Sequence, residues 1–273
     1  MITNSKQIID KKVMGILNVT PDSFFVKSRK QVEKEIVERV IQIVEEGAYI
    51  IDVGGYSSRP NALFVSEEEE TKRLQFSLKI LFRELPNAIV SIDTFRSKIV
   101  RKCTEKFRIS IINDISAGEL DTKMPEVVAE LKVIYLIMHM RGTPQTMMKC
   151  TQYNYLLPEI LSYFEKKINF LHQKGIYDIW IDPGFGFSKT TSQNYEILSQ
   201  LNLFSIFNLP IVAGLSRKTM IRETIGVTTE NALNGTTALN MFALTQGVNI
   251  LRVHDVKEAV QTIQLYNQIQ QYD

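Results

Sequence analysis

Cysteine is nearly absent from this chain of 273 residues, which has only Cys103 and Cys150. Their separation suits neither a metal-ligand pair nor a disulfide framework, so two reduced thiols of an intracellular protein are expected. Long apolar runs are missing as well. Nothing approaches the ~18 residues of a membrane-spanning helix, and the longest such stretch, Val133 to Met138, has the length of a strand. Met1 to Asp10 contains no apolar signal core. Charge of either sign is not in excess. The 32 Lys and Arg against 30 Asp and Glu leave +2, which argues against a broad nucleic-acid footprint but permits a local basic pocket. A soluble cytoplasmic protein with no nucleic-acid or membrane partner is expected. Low-complexity linkers and composition breaks are also lacking, so residues 1–273 read as one domain. A nucleotide loop is excluded too. Gly184 to Thr190 superficially looks like one, but Lys189 occupies the place where a Walker motif needs Gly before its Lys, and no Gly-x-Gly-x-x-Gly occurs there.

What is present is an ordinary globular composition, 44% hydrophobic and 23% charged, in a chain long enough to bury a substantial core. Short β-branched runs recur at 13–17, 49–53, 89–92, 109–112, 133–137, 178–181, 210–213 and 248–253. Near-continuous hydrophobicity marks strands buried on both faces, as in parallel sheets. Segments of helical period lie between them. Val32, Ile36, Val40, Ile43 and Val44 form one stripe that stops at Gly47. The acidic run Glu67 to Glu70 reads as a helix start, not a metal site: Ser66 and Glu69 are spaced as a capping box, and Leu74, Leu78, Leu81 and Phe82 supply the buried face. Further helices are expected over 158–174, 194–203, 229–246 and 256–270. His172, inside one of these patterns, reads as a packing or surface residue. Eight strands alternating with helices predict an α/β fold, a (β/α)8 TIM barrel, with a doubly wound open sheet as the alternative.

Each predicted strand ends on polar chemistry. In order these ends are Asn18, Asp52, Asp93, Asn113 with Asp114, Met138 with His139, Asp182, Ser216-Arg217-Lys218, and Arg252 with His254. The C-terminal strand mouths are where a barrel places its site. Carboxylates and amides such as Asp93, Asn113 and Asp182 suit a nitrogen heterocycle. Arg59, Lys218, Arg252 and His254, with Asn18, suit a diphosphate and its divalent ion. Taken singly, Asp52 and Asp182 could equally be turn caps, and Met138 and Met140 core methionines.

The motifs around these ends carry a resemblance. Met14-Gly15-Ile16-Leu17-Asn18-Val19-Thr20-Pro21-Asp22-Ser23-Phe24, Asp52-Val53-Gly54-Gly55-Tyr56-Ser57-Ser58-Arg59-Pro60, Ser91-Ile92-Asp93-Thr94 and Ile112-Asn113-Asp114 come first. Met138-His139-Met140, Asp182-Pro183-Gly184-Phe185-Gly186-Phe187, Gly214-Leu215-Ser216-Arg217-Lys218 and Arg252-Val253-His254 follow. In this order they resemble the dihydropteroate synthase family over about residues 13–256. The resemblance implies a transferase of folate biosynthesis that condenses a dihydropterin diphosphate with 4-aminobenzoate, a magnesium (Mg2+) cofactor, sulfonamides as inhibitors, and a homodimer formed through helices near the chain's end.

It also implies roles. Asn18 matches the magnesium ligand. Asp93, Asn113 and Asp182 match the residues that hydrogen-bond the pterin, with Lys218 at its carbonyl edge. Asp93, Asp182 and Lys218 are the expected catalytic residues. Met138, Phe187 and Gly214 match pocket walls, and Ser58, Arg59, Arg252 and His254 the diphosphate set. Phe24, Pro60, Ser216 and Thr219 match positions near the aminobenzoate, whose carboxylate is expected close to a helix starting around Ser216. Two places depart from the family pattern. Tyr56-Ser57-Ser58 stands where Glu-Ser-Thr is common, and Phe25 to Arg29 lacks the usual glycines. The rival expectations are a pterin-binding methyltransferase domain and a catalytically silent pterin-binding protein.

Overall fold

The computed structural model describes residues 10–19, 29–57 and 64–272. Among these, eight strands form one parallel sheet: β1 (Lys12–Asn18), β2 (Ile50–Gly54), β3 (Val90–Asp93), β4 (Ile111–Asp114), β5 (Ile134–Met138), β6 (Ile179–Asp182), β7 (Val212–Ala213) and β8 (Ile250–Val253). Their spatial order is β6-β5-β4-β3-β2-β1-β8-β7, and an Ile181–Ile211 bridge brings the two edges together. The result is a nearly closed (β/α)8 barrel rather than an open doubly wound sheet.

The helices between the strands are α1 (Arg29–Glu45), α2 (Glu67–Glu84), α3 (Ser97–Thr104), α4 (Met124–Leu131), α5 (Leu156–Gln173), α6 (Thr191–Ser199), α7 (Thr219–Ile225), α8 (Leu233–Thr245) and α9 (Val256–Ile269). Two helices, α7 and α8, separate β7 from β8. The expected segment 194–203 divides into α6 and a tighter 3-10 stretch, Leu201–Phe207. The stripe on α1 buries Ile36, Val40 and Ile43, but leaves Val44 39% exposed at the end of the helix. Gly47, at φ +96, provides the left-handed turn that ends it.

The acidic start of α2 is only half a capping box. Glu69 N–H donates to Ser66 Oγ at 3.2 Å, but the Glu69 carboxylate bonds Arg73 at 2.7 Å. Glu70 is not a solvated charge at all. It is fully buried and accepts from Thr94 Oγ1 and Arg96, each at 2.6 Å.

Strands β1 to β6 reach one or two residues past their apolar runs, because the residue at each end still pairs: Asn18 with Gly54, Asp93 with Asn113, Met138 with Asp182. Side chains alternate along a strand. The barrel interior is filled by Met14, Ile50, Ile111, Ile134, Leu136, Trp180, Val212 and Ile250. A larger shell packs the outer strand faces on the helices, including Leu17, Val53, Ile92, Ile112, Ile137 and Val253. This parity decides which strand-end side chains can meet. Counting up by two from the interior residues reaches Asn18, Asp52, Asp93 (through partly buried Ile89), Asn113, Met138, Asp182, Gly214, Arg252 and His254.

Candidate active site at the strand ends

Arg252 organises the centre of the ring. Its Nε donates to Asp52 Oδ2 at 2.7 Å and its terminal nitrogen to Asp93 Oδ2 at 2.6 Å. Asn113 Nδ2 donates to the same Asp52 oxygen at 3.1 Å. Burial opposes the Arg252 charge, but Asp52 and Asp93 outweigh it and hold the guanidinium above its ordinary range. Asp52, readable from sequence as a turn cap, is instead a buried acid that fixes both Arg252 and Asn113. Its Oδ1 is buried with no protein donor among the described residues. Burial pushes the Asp93 carboxyl up to about 7, with Arg252 opposing and Asp52 adding to the rise.

This has a measurable consequence. A carboxyl whose pKa is higher folded than unfolded keeps its proton longer in the native state. Stability from Asp93 therefore falls as pH rises from the ordinary 3.8 towards 7. Asp93→Asn should flatten that slope. Urea midpoints of both proteins measured across pH 4.5 to 7.5 would check it, and equal slopes would reject it.

Asp182 lies across the ring beside β5. Its Oδ1 accepts the Gly184 N–H at 2.7 Å, so it does cap a turn, as its bland reading held. The other oxygen is a site group. A Cβ placed on Gly214 would stand 3.9 Å from Asp182 Oδ2 and 4.0 Å from Lys218 Nζ, so the glycine keeps the space between them clear. Burial raises the Asp182 pKa against the opposing effect of Lys218, and burial lowers Lys218 to about 8 against the opposing effect of Asp182. The Lys218 ammonium donates to the Phe185 carbonyl and sits 4.8 Å from the Phe187 ring centroid. Met138 and Phe187 join Ile115, Met140, Met147, Phe95 and Leu120 in an apolar cluster above the strands. An apolar cluster beside an edge of Asp93, Asn113, Asp182 and Lys218 is the chemistry of a polar heterocycle site.

Several strand-end residues belong elsewhere. Asp114 and His139 have the opposite parity to Asn113 and Met138. Asp114 accepts from Ser116 N and Oγ, Gly118 N and the Tyr135 hydroxyl at 2.7–2.8 Å, which binds the turn after β4. His139 packs among Tyr153, Tyr163 and Phe164. Arg217, at φ +55, turns outward and clasps Asp255 with two 2.8 Å bonds. It locks the β7–α7 loop to the β8–α9 loop and does not join the cationic set.

Ser216 is buried with its hydroxyl 3.1 Å from His254 Nδ1. The helix expected around Ser216 begins instead at Thr219, with Lys218 in the extended N-cap position, so Ser216 precedes it. Tyr56 accepts from Gln145 at 2.8 Å while its ring packs edge-on against Phe95. It ties the β2–α2 loop to the β5–α5 loop. Phe24, Ser58, Arg59 and Pro60 lie outside the described residues.

Asn18 ends β1, is exposed, and directs its amide oxygen towards Gly54, beside Asp93. Among the described residues no group of three or more His, Cys, Asp or Glu could hold a metal. One amide oxygen nevertheless fits magnesium, which keeps waters and takes most of its other ligands from substrate phosphates.

The comparisons with known proteins agree with this geometry. Residues 14–254 match the family model described as pterin binding enzyme. The dihydropteroate synthase of Escherichia coli is 38% identical over 255 residues, which is 93% of this chain and 89% of that protein. The Bacillus subtilis dihydropteroate synthase is 36% identical over 90% of this chain and 84% of its own length. Among solved structures, a Yersinia pestis dihydropteroate synthase in complex with a sulfonamide drug superposes with TM-score 0.89 at 32% identity, covering 97% of this chain and 96% of that one. The Xanthomonas albilineans enzyme with 4-aminobenzoic acid gives 0.88 at 32% identity over 96% and 94%.

Proposed function

The chain belongs to the dihydropteroate synthase family, and we propose from that premise how its strand-end side chains divide the work. The reaction is the condensation of a dihydropterin diphosphate with 4-aminobenzoate, giving dihydropteroate and diphosphate in folate synthesis. The pterin lies in the slot between Met138, Phe187 and Gly214. Asp93, Asn113 and Asp182 take its ring N–H groups, and Lys218 approaches its carbonyl edge. The observation that carries this reading is the cleared space at Gly214, bounded by an acceptor, Asp182 Oδ2, and a donor, Lys218 Nζ.

Chemically the amine needs little help. An arylamine is weakly basic and already neutral at pH 7, so no strong general base is required. The barrier lies in expelling diphosphate from the exocyclic methylene. Asp93 and Asp182 stabilise the cationic fragment that this leaves, and Ser58, Arg59 and His254 receive the departing anion. Arg252 is held by Asp52 and Asp93 at the centre of the ring, and its guanidinium tempers their repulsion of the departing anion. Asn18 would hold magnesium together with the substrate's own oxygens, and that ion would offset charge growing on the leaving group. Ser216 and Thr219 border the aminobenzoate.

A homodimer through the helices near the chain's end fits the exposed Phe242, Leu265 and Ile269. Cytoplasmic location fits the free Cys103 and Cys150; among the described residues no helix is long and apolar enough to cross a membrane. The deciding assay mixes the dihydropterin diphosphate, 4-aminobenzoate and magnesium with the protein. Diphosphate release that depends on 4-aminobenzoate is expected. Absence of release would sink the reading in favour of a silent pterin binder, and transfer from a methylated folate would favour the methyltransferase.

A further inference from the structure

Lys189 is 2% exposed, yet none of its contacts is an acid. Its Nζ donates to the carbonyl oxygens of Gly184 and Phe187 at 3.0 Å and of His139 at 3.3 Å. It also lies 3.0 Å from His139 Nδ1. Burial pushes the Lys189 pKa well below its ordinary value, against the opposing field of Asp182, and these four polar atoms around its Nζ make a cage to which the His139 ring belongs as a neutral imidazole. Burial and the neighbouring Lys189 charge push the His139 pKa down to about 2, which keeps it so.

The cage spans two elements, because His139 follows β5 while Gly184 and Phe187 belong to the loop between β6 and α6. That loop is pressed hard on the strand end: a Cβ on Gly184 would stand 2.1 Å from the His139 carbonyl oxygen. Its other end is tied by Gly186 N–H to Asn194 Oδ1 at 2.7 Å. The same short loop carries three groups of the site. They are the Gly184 N–H on Asp182, the Phe185 carbonyl on Lys218, and the Phe187 ring beneath the Lys218 ammonium.

We propose that Lys189 is a positioning residue for the ring slot: caged by His139, Gly184 and Phe187, it fixes the β6–α6 loop in the shape that sets Asp182, Lys218 and Phe187 around the pterin. The inference rests on the pterin reading of that slot. Lys189 hydrogen-bonds none of the ring-binding side chains, although its field reaches Asp182, and its bonds act through the loop. A methionine would fill the same volume without burying a charge. Losing the Lys189 donor costs the buried carbonyls a partner, while removing a buried amine lifts its desolvation cost, and the two effects oppose each other. Lys189→Met therefore separates loop shape from fold stability.

The test measures equilibrium binding of a 6-hydroxymethylpterin, the KM for each substrate, and the thermal midpoint. Wild type is compared with Lys189→Met, His139→Gln and His139→Leu. The pterin affinity of Lys189→Met should fall about ten-fold, in line with the sensitivity of bound geometry to small displacements. Its thermal midpoint and its KM for 4-aminobenzoate should stay close to wild type. His139→Gln, which keeps an acceptor for the ammonium, should bind the pterin better than His139→Leu. Wild-type pterin affinity in folded Lys189→Met overturns the inference alone, as does a loss shared equally by both substrates and the midpoint. If Lys189→Met does not fold, equal pterin affinities in the two His139 variants overturn it. A wild-type protein that binds no pterin defeats the slot reading, and this inference with it.

Discussion

Asp182→Asn should lower kcat/KM for the pterin diphosphate by about a hundred-fold or more, while the protein stays as stable as wild type. The two oxygens of Asp182 have different duties. Oδ1 holds the turn by accepting the Gly184 N–H, and an asparagine carbonyl can do the same. Oδ2 faces the slot beside Gly214 and Lys218, and an amide nitrogen there would present hydrogens to ring N–H groups. It would also remove the negative charge that stabilises the fragment left when diphosphate departs. Both the bound state and the transition state lose, the latter more, so kcat should fall together with kcat/KM. Steady-state kinetics with a circular dichroism melt would check this. A variant that turned over at the wild-type rate would contradict the electrostatic account of the site.

Arg252→Met should produce the largest loss of stability, about 3–5 kcal/mol near neutral pH. Asp52 is fully buried, Asp93 has a side-chain exposure of only 12%, and the guanidinium pairs with both. Without it two carboxylates remain close together in a low-dielectric interior, with Asn113 as the remaining side-chain donor on Asp52. The folded pKa of Asp93 rises further, so the unfolded chain releases that proton first. The destabilisation should grow as pH rises through the window above 3.8 and shrink under mild acid, where the Asp93 carboxyl is neutral. Adding Asp93→Asn to Arg252→Met should recover part of the loss, since it removes one of the unpaired charges. Denaturant unfolding of the single and double variants at pH 5 and pH 8 measures both effects. Additive losses, or a loss independent of pH, would show that the three side chains do not act as a unit.

The barrel was legible because its cause is local. Strands covered on both faces must be apolar along their length, and the eight runs stand out for that reason. Their ends were less legible. Four of the strands do end on a polar residue, at Asn18, Asp93, Asp114 and Asp182, but Asp114 sits beside Asn113 and His139 beside Met138, and only strand parity separates a side chain in the ring from one against the helices. That signal was available in the sequence, since alternation follows once an interior residue such as Ile111 or Ile134 is known. Arg217 escaped the same reasoning because its left-handed backbone turns it outward after the strand has ended.

Asp52 and Lys189 are hard to read in the sequence for a different reason. A lone acid before a glycine turn, or a lysine in a glycine-rich loop, has no distinctive spacing. Asp52 gains its meaning from Arg252, 200 positions away, and Lys189 from His139, 50 positions away.

The sequence by itself determined eight strands in order, the side chains at their ends, and through the ordered motifs the family to which the chain belongs. Those features follow from hydrophobic periodicity and from short contiguous patterns. Only the tertiary structure decided that Arg252 is held by two acids, that Asp182 bonds Gly184 through one oxygen and faces Gly214 and Lys218 with the other, and that a buried lysine lies among the carbonyls of the loop above it. Barrel closure brings β8 beside β1 and within reach of β2 and β3, and no local pattern encodes which partner a buried charge will find across it.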